Sequence, residues 1–288
     1  MNRTLASYGK VQVFVPIQFH ITAHYNGQSV PVDTFNEFVG RTINVPEEIA
    51  KMITTGIVIC DEGTSRHVPT NVFAEGGNHY ATVYSLTNST YVLIYYDVDF
   101  DDVSGTWYTP CVDEKASRTI IRGREDGLFY SQDDITRAEF AAMIIRALGL
   151  QPNGSRSVFR DVSANAWYAG YVGKAYEYGL ISGVGGGMFE PDRYITREEA
   201  MLLIQKAAVI AGFAGRSGDI SSFADAGSVS SWAVGAAEWN VGSGLVDGRD
   251  GLLDPTENIT RAETATIVLR LLRNAGLIDE RAGSQPDI

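Results

Sequence analysis

One five-residue phrase occurs three times in this chain and limits what it can fold into. It reads Ile135-Thr136-Arg137-Ala138-Glu139, then Ile195-Thr196-Arg197-Glu198-Glu199, then Ile259-Thr260-Arg261-Ala262-Glu263. Thr196 lies 60 residues after Thr136, and Thr260 lies 64 after Thr196. A phrase returning at a near-constant period marks a structural repeat. It also has a local mechanism. Threonine, glutamate three residues on and then apolar periodicity make a capping box that starts a helix. Thr136 with Glu139, Thr196 with Glu199 and Thr260 with Glu263 are therefore expected caps. The arginine between them falls at the first helical position, beside free N–H groups and the positive end of the helix dipole. Three such places offer sites for three anionic groups.

The repetition extends upstream. A glycine-rich loop precedes each phrase, at Arg122–Phe129, Ser182–Pro191 and Asp247–Pro255. Before each loop stands an aromatic residue, an aspartate and then a tryptophan: Phe100-Asp101-Asp102-Val103 with Trp107, Phe159-Arg160-Asp161-Val162 with Trp167, and Phe223-Ala224-Asp225 with Trp232. Each copy reads as an extended lead-in, a Trp-bearing helix, a glycine turn, a capped helix and a linker. The capped helices are amphipathic, with Phe140, Met143, Ile144, Ala147 and Leu148, then Leu203, Ile204 and Ala207, then Ile267, Val268, Leu271 and Leu272 at i, i+3, i+4 spacing. Gly149, Gly212 and Gly276 stand where a left-handed C-cap is common. Pro110 interrupts the first Trp-bearing helix, which is expected to be short or to start late.

With these three elements in the same order three times, residues 100 to 276 resemble tandem S-layer homology (SLH) repeats. The resemblance implies a pseudo-threefold helical unit with grooves between repeats. It implies noncovalent binding of secondary cell-wall polysaccharide, especially a terminal pyruvylated aminosugar. By position, Arg137, Arg197 and Arg261 would contact the ketal carboxylate. Three features depart from the family pattern. Glu198 stands where the other copies have Ala138 and Ala262, and is expected to weaken anion binding at Arg197. Ser131 replaces a loop proline, and Pro110 makes the first helix atypical.

The chain is thus read as an α+β multidomain protein. A β-sandwich-like spacer at 1–98 precedes an all-α pseudo-threefold bundle of repeats at 99–158, 159–222 and 223–279, with a flexible tail at 280–288. Val, Ile, Thr, Tyr and Phe alternate with period two in the first part. Strands are expected at Val11–Phe19, Ile57–Cys60, His67–Val72, Ala81–Leu86 and Tyr91–Tyr96. Turn signals lie at Asn26-Gly27, Asp61-Glu62-Gly63, Gly76-Gly77-Asn78 and Asn88-Ser89. A short helix is expected after Pro46.

Of its 288 residues, 44% are apolar and 20% charged, as in soluble globular chains. The sequence has no apolar run of bilayer length. A formal charge of −12 argues against general nucleic-acid binding, which rests on neutralising phosphates. It does not oppose an anionic polymer where basic residues cluster, because screening confines repulsion to about 8–10 Å. Cys60 and Cys111 form neither a metal spacing nor a disulfide framework. The start, Met1 to Ser7, lacks the apolar segment of a secretory leader. An exported protein needs one, so the chain is read as the C-terminal piece of a longer exported protein, with a start-site artefact as the bland alternative.

The sequence has no nucleophile elbow, zinc-protease or P-loop motif. The Gly183–Gly187 run lacks the P-loop lysine. His20 and His24, four apart on a strand, are roughly 13 Å apart, too far for one metal. Asp97, Asp99 and Asp101 begin like a calcium loop, but Asp102 and Tyr108 occupy the positions of its glycine and glutamate. The expectation is therefore no enzyme, no cofactor and no metal. The candidate ligand residues are Arg137, Arg197 and Arg261. Trp107, Trp167 and Trp232, with Gly123, Gly183 and Gly248, are candidate walls of a sugar groove. Core anchoring is the other reading of the tryptophans. The expected partner is secondary cell-wall polysaccharide or a peptidoglycan-linked glycan, at an extracellular wall or surface layer. The alternatives are a lattice or self-association element that has lost glycan binding, and the anchor portion of a larger surface enzyme.

Overall fold

Strand-like alternation gives way to helical periodicity near residue 97, and the structure changes class there. The computed structural model describes residues 11–14, 16–60, 65–152 and 158–280. The first part contains β1 (Val11–Val13), β2 (Ile17–Gln18), β3 (Thr22–Tyr25), β4 (Gln28–Pro31), β5 (Thr34–Val45), α1 (Glu47–Ala50), β6 (Thr55–Ile59), β7 (Ser65–Val68), β8 (Thr70–Glu75), β9 (Asn78–Thr87) and β10 (Thr90–Tyr96). All described pairings are antiparallel. One sheet runs β1-β10-β6-β7 with β2 also on β10, a second runs β5-β9-β8, and β3-β4 is a separate hairpin. Val58, Val68, Tyr91 and Leu93 of the first sheet share a buried cluster with Val45, Ala81 and Val83 of the second.

Several strand boundaries differ from expectation for local reasons. The strand expected at His67–Val72 is broken at Pro69, which has no N–H to give a ladder. The chain crosses there from the first sheet (β7) to the second (β8). The strand expected at Val11–Phe19 is two short strands flanking Pro16. The 12-residue β5 went unread because its pairing shifts. Thr34 faces Thr87 and Val39 faces Ser85, so an irregularity interrupts the alternation. The short helix after Pro46 forms as expected. The turn at 61–63 and the tail from 281 lie outside the described residues.

The second part holds α2 (Thr109–Ser117), α3 (Arg137–Ala147), α4 (Ala169–Glu177), α5 (Arg197–Ile210), α6 (Val234–Gly242) and α7 (Arg261–Asn274). All three capping boxes form. Thr136, Thr196 and Thr260 side chains accept from the Glu139, Glu199 and Glu263 N–H groups, and those carboxylates accept from the threonine N–H groups in return. Gly149, Gly212 and Gly276 follow the helix ends with positive φ, as a left-handed cap requires. The expected shortening at Pro110 does not occur: α2, α4 and α6 have nine residues each. Pro110 sits in the first turn, where its missing N–H has no helical partner to lose.

The repeats are joined head to tail in a closed cycle. Ile195 N–H donates to Ile135 O, Ile259 N–H to Ile195 O, and Ile135 N–H to Ile259 O, each at 3.1 Å. Arg137, Arg197 and Arg261 N–H donate in the opposite sense round the ring, each to the following copy, to the carbonyls of Arg193, Glu257 and Asp133. The next residues, Ala138, Glu198 and Ala262, donate to Pro191, Pro255 and Ser131. Ser131 thus keeps the carbonyl of the proline it replaces. Helix packing is cyclic too: α3 packs on α4, α5 on α6, and α7 on α2. One buried cluster runs through all three copies, including Phe140, Ile144, Ile204, Val268 and Leu272.

The strand-rich part packs on this ring at the junction of the first and third copies. Arg118, fully buried, pairs with Glu114 at 3.0 Å and Asp279 at 3.0 Å, and donates to Thr70 O at 3.1 Å. Arg273 reaches Glu114 at 2.6 Å. Arg66 donates to the Gly149 carbonyl.

Candidate functional site: three grooves between repeats

Each junction opens a groove built from all three copies. The first, about 710 Å³, joins Arg122 and Gly123 of the first loop and Arg146 of α3 to Arg261 of the third copy and Trp167 of the second. The second, about 280 Å³, joins Gly183 and Lys206 of the second copy to Arg137 and Trp232. The third, about 390 Å³, joins Gly248, Arg249 and Arg270 of the third copy to Arg197 and Trp107. Loop and capped helix come from one copy, the phrase arginine from the copy before, and the tryptophan from the copy after.

The glycine turns have a steric cause. A Cβ on Gly123 would lie 2.8 Å from Phe100 Cε1, on Gly183 2.6 Å from the Met188 carbonyl, and on Gly248 2.5 Å from Phe223 Cε1. The aspartate of the lead-in fastens the same turn. Asp102 accepts from Phe129 and Tyr130 N–H, Asp161 from Phe189 and Glu190 N–H, and Asp225 from Leu253 and Asp254 N–H, at 2.6–3.1 Å. Tyr130, Glu190 and Asp254 adopt positive φ there. Two backbone bonds to each carboxylate offset a conformation that non-glycine residues rarely adopt.

The phrase arginines are largely buried, at 8%, 4% and 6% exposure for Arg137, Arg197 and Arg261. Nε of each donates across the junction, to Phe189, Leu253 and Phe129 carbonyls at 2.9, 2.8 and 2.9 Å. Each also pairs with the capping glutamate of the next copy: Arg137 with Glu199 at 3.4 Å, Arg197 with Glu263 at 2.6 Å, and Arg261 with Glu139 at 3.0 Å. Arg137 lies over the Phe189 ring and Arg261 over Phe129, at 4.7 and 4.8 Å. Leu253 denies Arg197 that contact. Burial lowers the pKa of Arg137 and Arg261, partly offset by Glu199 and Glu139. Burial alone would raise the Glu199 pKa; Arg193, the Thr196 N–H and Arg137 outweigh it and hold the carboxyl below its usual value.

The tryptophans are not core anchors. Trp107, Trp167 and Trp232 are 53%, 57% and 53% exposed. The aromatic core contacts are instead Phe100 on Phe129 and Phe159 on Phe189, stacked at 5.4 and 5.3 Å. Glu198 also differs from expectation. Its carboxylate accepts from Ser230 N–H and Ser230 Oγ, and it lines none of the three grooves.

Sequence reading missed a second basic position. Arg146, Lys206 and Arg270 each follow a phrase arginine by nine residues and line the groove of their own copy. That fixed offset was the signal available. Their surroundings differ. Arg270 pairs with Asp247 at 2.5 Å, and Arg249 with Asp254 at 2.9 Å. Arg146 lies 4.8 Å over Tyr171 and 6.0 Å from the Trp167 ring. Among the described residues no ion pair engages Arg122 or Arg146. The first groove therefore has two cations, and the second groove one in Lys206, that no ion pair among the described residues engages, whereas Arg249 and Arg270 of the third are both paired.

Among the described residues, no group of three or more His, Cys, Asp or Glu could hold a metal. No described helix is long and apolar enough to cross a membrane. Cys60 and Cys111 are both free.

Residues 99–141, 158–201 and 222–265 each match the S-layer homology domain. An amylopullulanase of Thermoanaerobacterium thermosulfurigenes is 33% identical over 192 residues, 66% of this chain and 10% of that protein. Exoglucanase XynX of Acetivibrio thermocellus is 32% identical over 180 residues, 62% of this chain and 16% of its own. A surface-layer 125 kDa protein of Lysinibacillus sphaericus is 33% identical over 180 residues, 61% of this chain and 15% of that protein. The matches thus span only 10% to 16% of these relatives.

Proposed function

We propose that the three S-layer homology repeats form an all-α pseudo-threefold unit that anchors a surface protein noncovalently to the bacterial cell wall. The ligand is an anionic secondary cell-wall polysaccharide, with a pyruvyl ketal as the charged group. The observation that carries this reading is the composition of the grooves. Each offers an exposed indole face for a sugar ring and, nearby, a cationic floor for a carboxylate. Arg137, Arg197 and Arg261 set the floor from the neighbouring copy, and their cap glutamates keep them aligned. Arg146 and Lys206, not consumed by ion pairs among the described residues, supply the charge that a ligand would meet. Arginine suits this because its planar fork can hold a carboxylate bidentately. Several grooves on one unit add avidity along a polymer.

The strand-rich residues 1–98 act in this reading as a spacer docked on repeats 99–158 and 223–279. A second reading is favoured by the relatives' names, two of which are enzymes: the repeats are the anchor portion of a larger surface enzyme. A lattice element without glycan binding is the structural alternative. Pull-down on purified cell walls, before and after removal of pyruvyl groups, separates the first reading from the last. We expect loss of retention after removal and weakening with salt, since a charge-assisted hydrogen bond is worth roughly 1.5–3 kcal/mol. Equal retention on both wall preparations would overturn the proposal.

A further inference from the structure

We propose that Glu198 is a positioning residue. Its carboxylate holds the turn that carries Trp232, doing in the third copy what a tyrosine does in the other two. In the first two copies tyrosine follows the tryptophan and the rings meet edge to face, Trp107 with Tyr108 at 5.2 Å and Trp167 with Tyr168 at 5.4 Å. In the third copy Ala233 follows Trp232, and it is fully buried. The brace is missing there.

The compensating change lies across the junction. Each capped helix packs on the Trp-bearing helix of the next copy. The helices with Ala138 and Ala262 at their second position pack on the helices that follow Tyr168 and Tyr108. Glu198, at the same position of its helix, bonds to Ser230 in the turn that carries Ala233. Tyr108 shows how close the positions are. Its hydroxyl accepts from Ser131 Oγ at 2.8 Å, and the Ser131 carbonyl accepts from Ala262 N–H at 2.9 Å. Glu198, 5% exposed, accepts from Ser230 N–H at 2.9 Å and from Ser230 Oγ at 2.8 Å. The Ser230 carbonyl then accepts from Ala233 N–H at 2.8 Å, closing the turn around Trp232. Small and large side chains have exchanged sides of one contact. Hydrogen bonds replace an aromatic brace, and the indole stays on the wall of the second groove with Arg137 and Lys206.

The consequence for glycan binding rests on the anchoring function proposed above; the positioning does not, and it can be read without any ligand. The full chain carrying Trp107→Phe and Trp167→Phe keeps Trp232 and the buried Trp239 as fluorophores, so acrylamide quenching reports mainly on Trp232. Glu198→Ala should raise the quenching constant by up to about twofold, the limit set by an indole that is already 53% exposed. Glu198→Gln should leave it unchanged, because an amide can still accept from the Ser230 N–H and donate to its hydroxyl. Glu198→Ala with Ala233→Tyr should return it to the parent value, restoring the pattern of the other copies. Ala233→Tyr alone should lower the melting temperature, since the site is then overfilled. Ser230→Ala, a milder change, should give a smaller rise than Glu198→Ala. An unchanged constant in folded Glu198→Ala or Ser230→Ala, or no restoration by Ala233→Tyr, would overturn the proposal. If quenching responds as expected but the parent chain itself does not bind walls, the anchoring function fails and the positioning stands.

Discussion

Lys115 is fully buried, and its Nζ has no hydrogen-bond partner among the described residues. It lies in the charged contact between α2 and α7. Desolvation brings its pKa down from 10.5 to about 7; Arg273 and Arg118 push the same way, and Cys111 and Glu114 oppose them. The folded amine therefore binds its proton more weakly than the unfolded one. Between about pH 7 and 10.5 the unfolded chain holds a proton that the folded chain does not, so stability rises with pH in that window. The related benefit is lost as pH falls through 7, where the charge must be buried. A shift of three to four units corresponds to about 5 kcal/mol. Lys115→Met, similar in shape and uncharged, should raise stability most at pH 6. Its advantage over the parent should shrink by about 3 kcal/mol by pH 9, from the linkage slope over that interval. Urea unfolding of both proteins at pH 6, 7, 8 and 9 measures this, and the difference between them cancels other titrating groups. Parallel stability curves for parent and variant would refute the reasoning, and would mean that the amine finds a partner.

Other expectations are more local. Gly248→Ala places a Cβ 2.5 Å from Phe223 and 2.6 Å from the Leu252 carbonyl at φ +79°, so thermal melts should show a loss of about 1–3 kcal/mol; a neutral result would mean the turn relaxes freely. Arg146→Ala should weaken calorimetric binding of pyruvylated wall glycan more than Arg270→Ala does, because Asp247 already neutralises Arg270; the reverse order would place the principal site in the third groove.

The repeat, the caps and the helix ends were legible because each is a local rule: a capping box or a C-terminal glycine acts within a few residues. Pro110 misled because position within a helix decides what a proline costs. Glu198 misled because its proximity to Arg197 in sequence said nothing about Ser230, its partner from the next copy. The tryptophans split two readings that only packing could decide, and the smaller phenylalanines took the core. Arg146, Lys206 and Arg270 were visible as a fixed offset, but nine residues on a helix is two and a half turns, so their approach to a groove needed the ring. β5 was hidden by a register shift, which erases the alternation that betrays a strand.

The ring has two junctions spanned by chain and one, between the third copy and the first, held only by noncovalent contacts. A pull entering through β10 into α2 would fall on that open junction. Contacts loaded in series unzip one at a time, each at its own small force. Arg118 changes the geometry of loading, since one side chain holds Thr70 in the strands, Glu114 in the first copy and Asp279 beyond the last helix. The tension divides between the first and last copies together, and several bonds must fail at once before the seam can open.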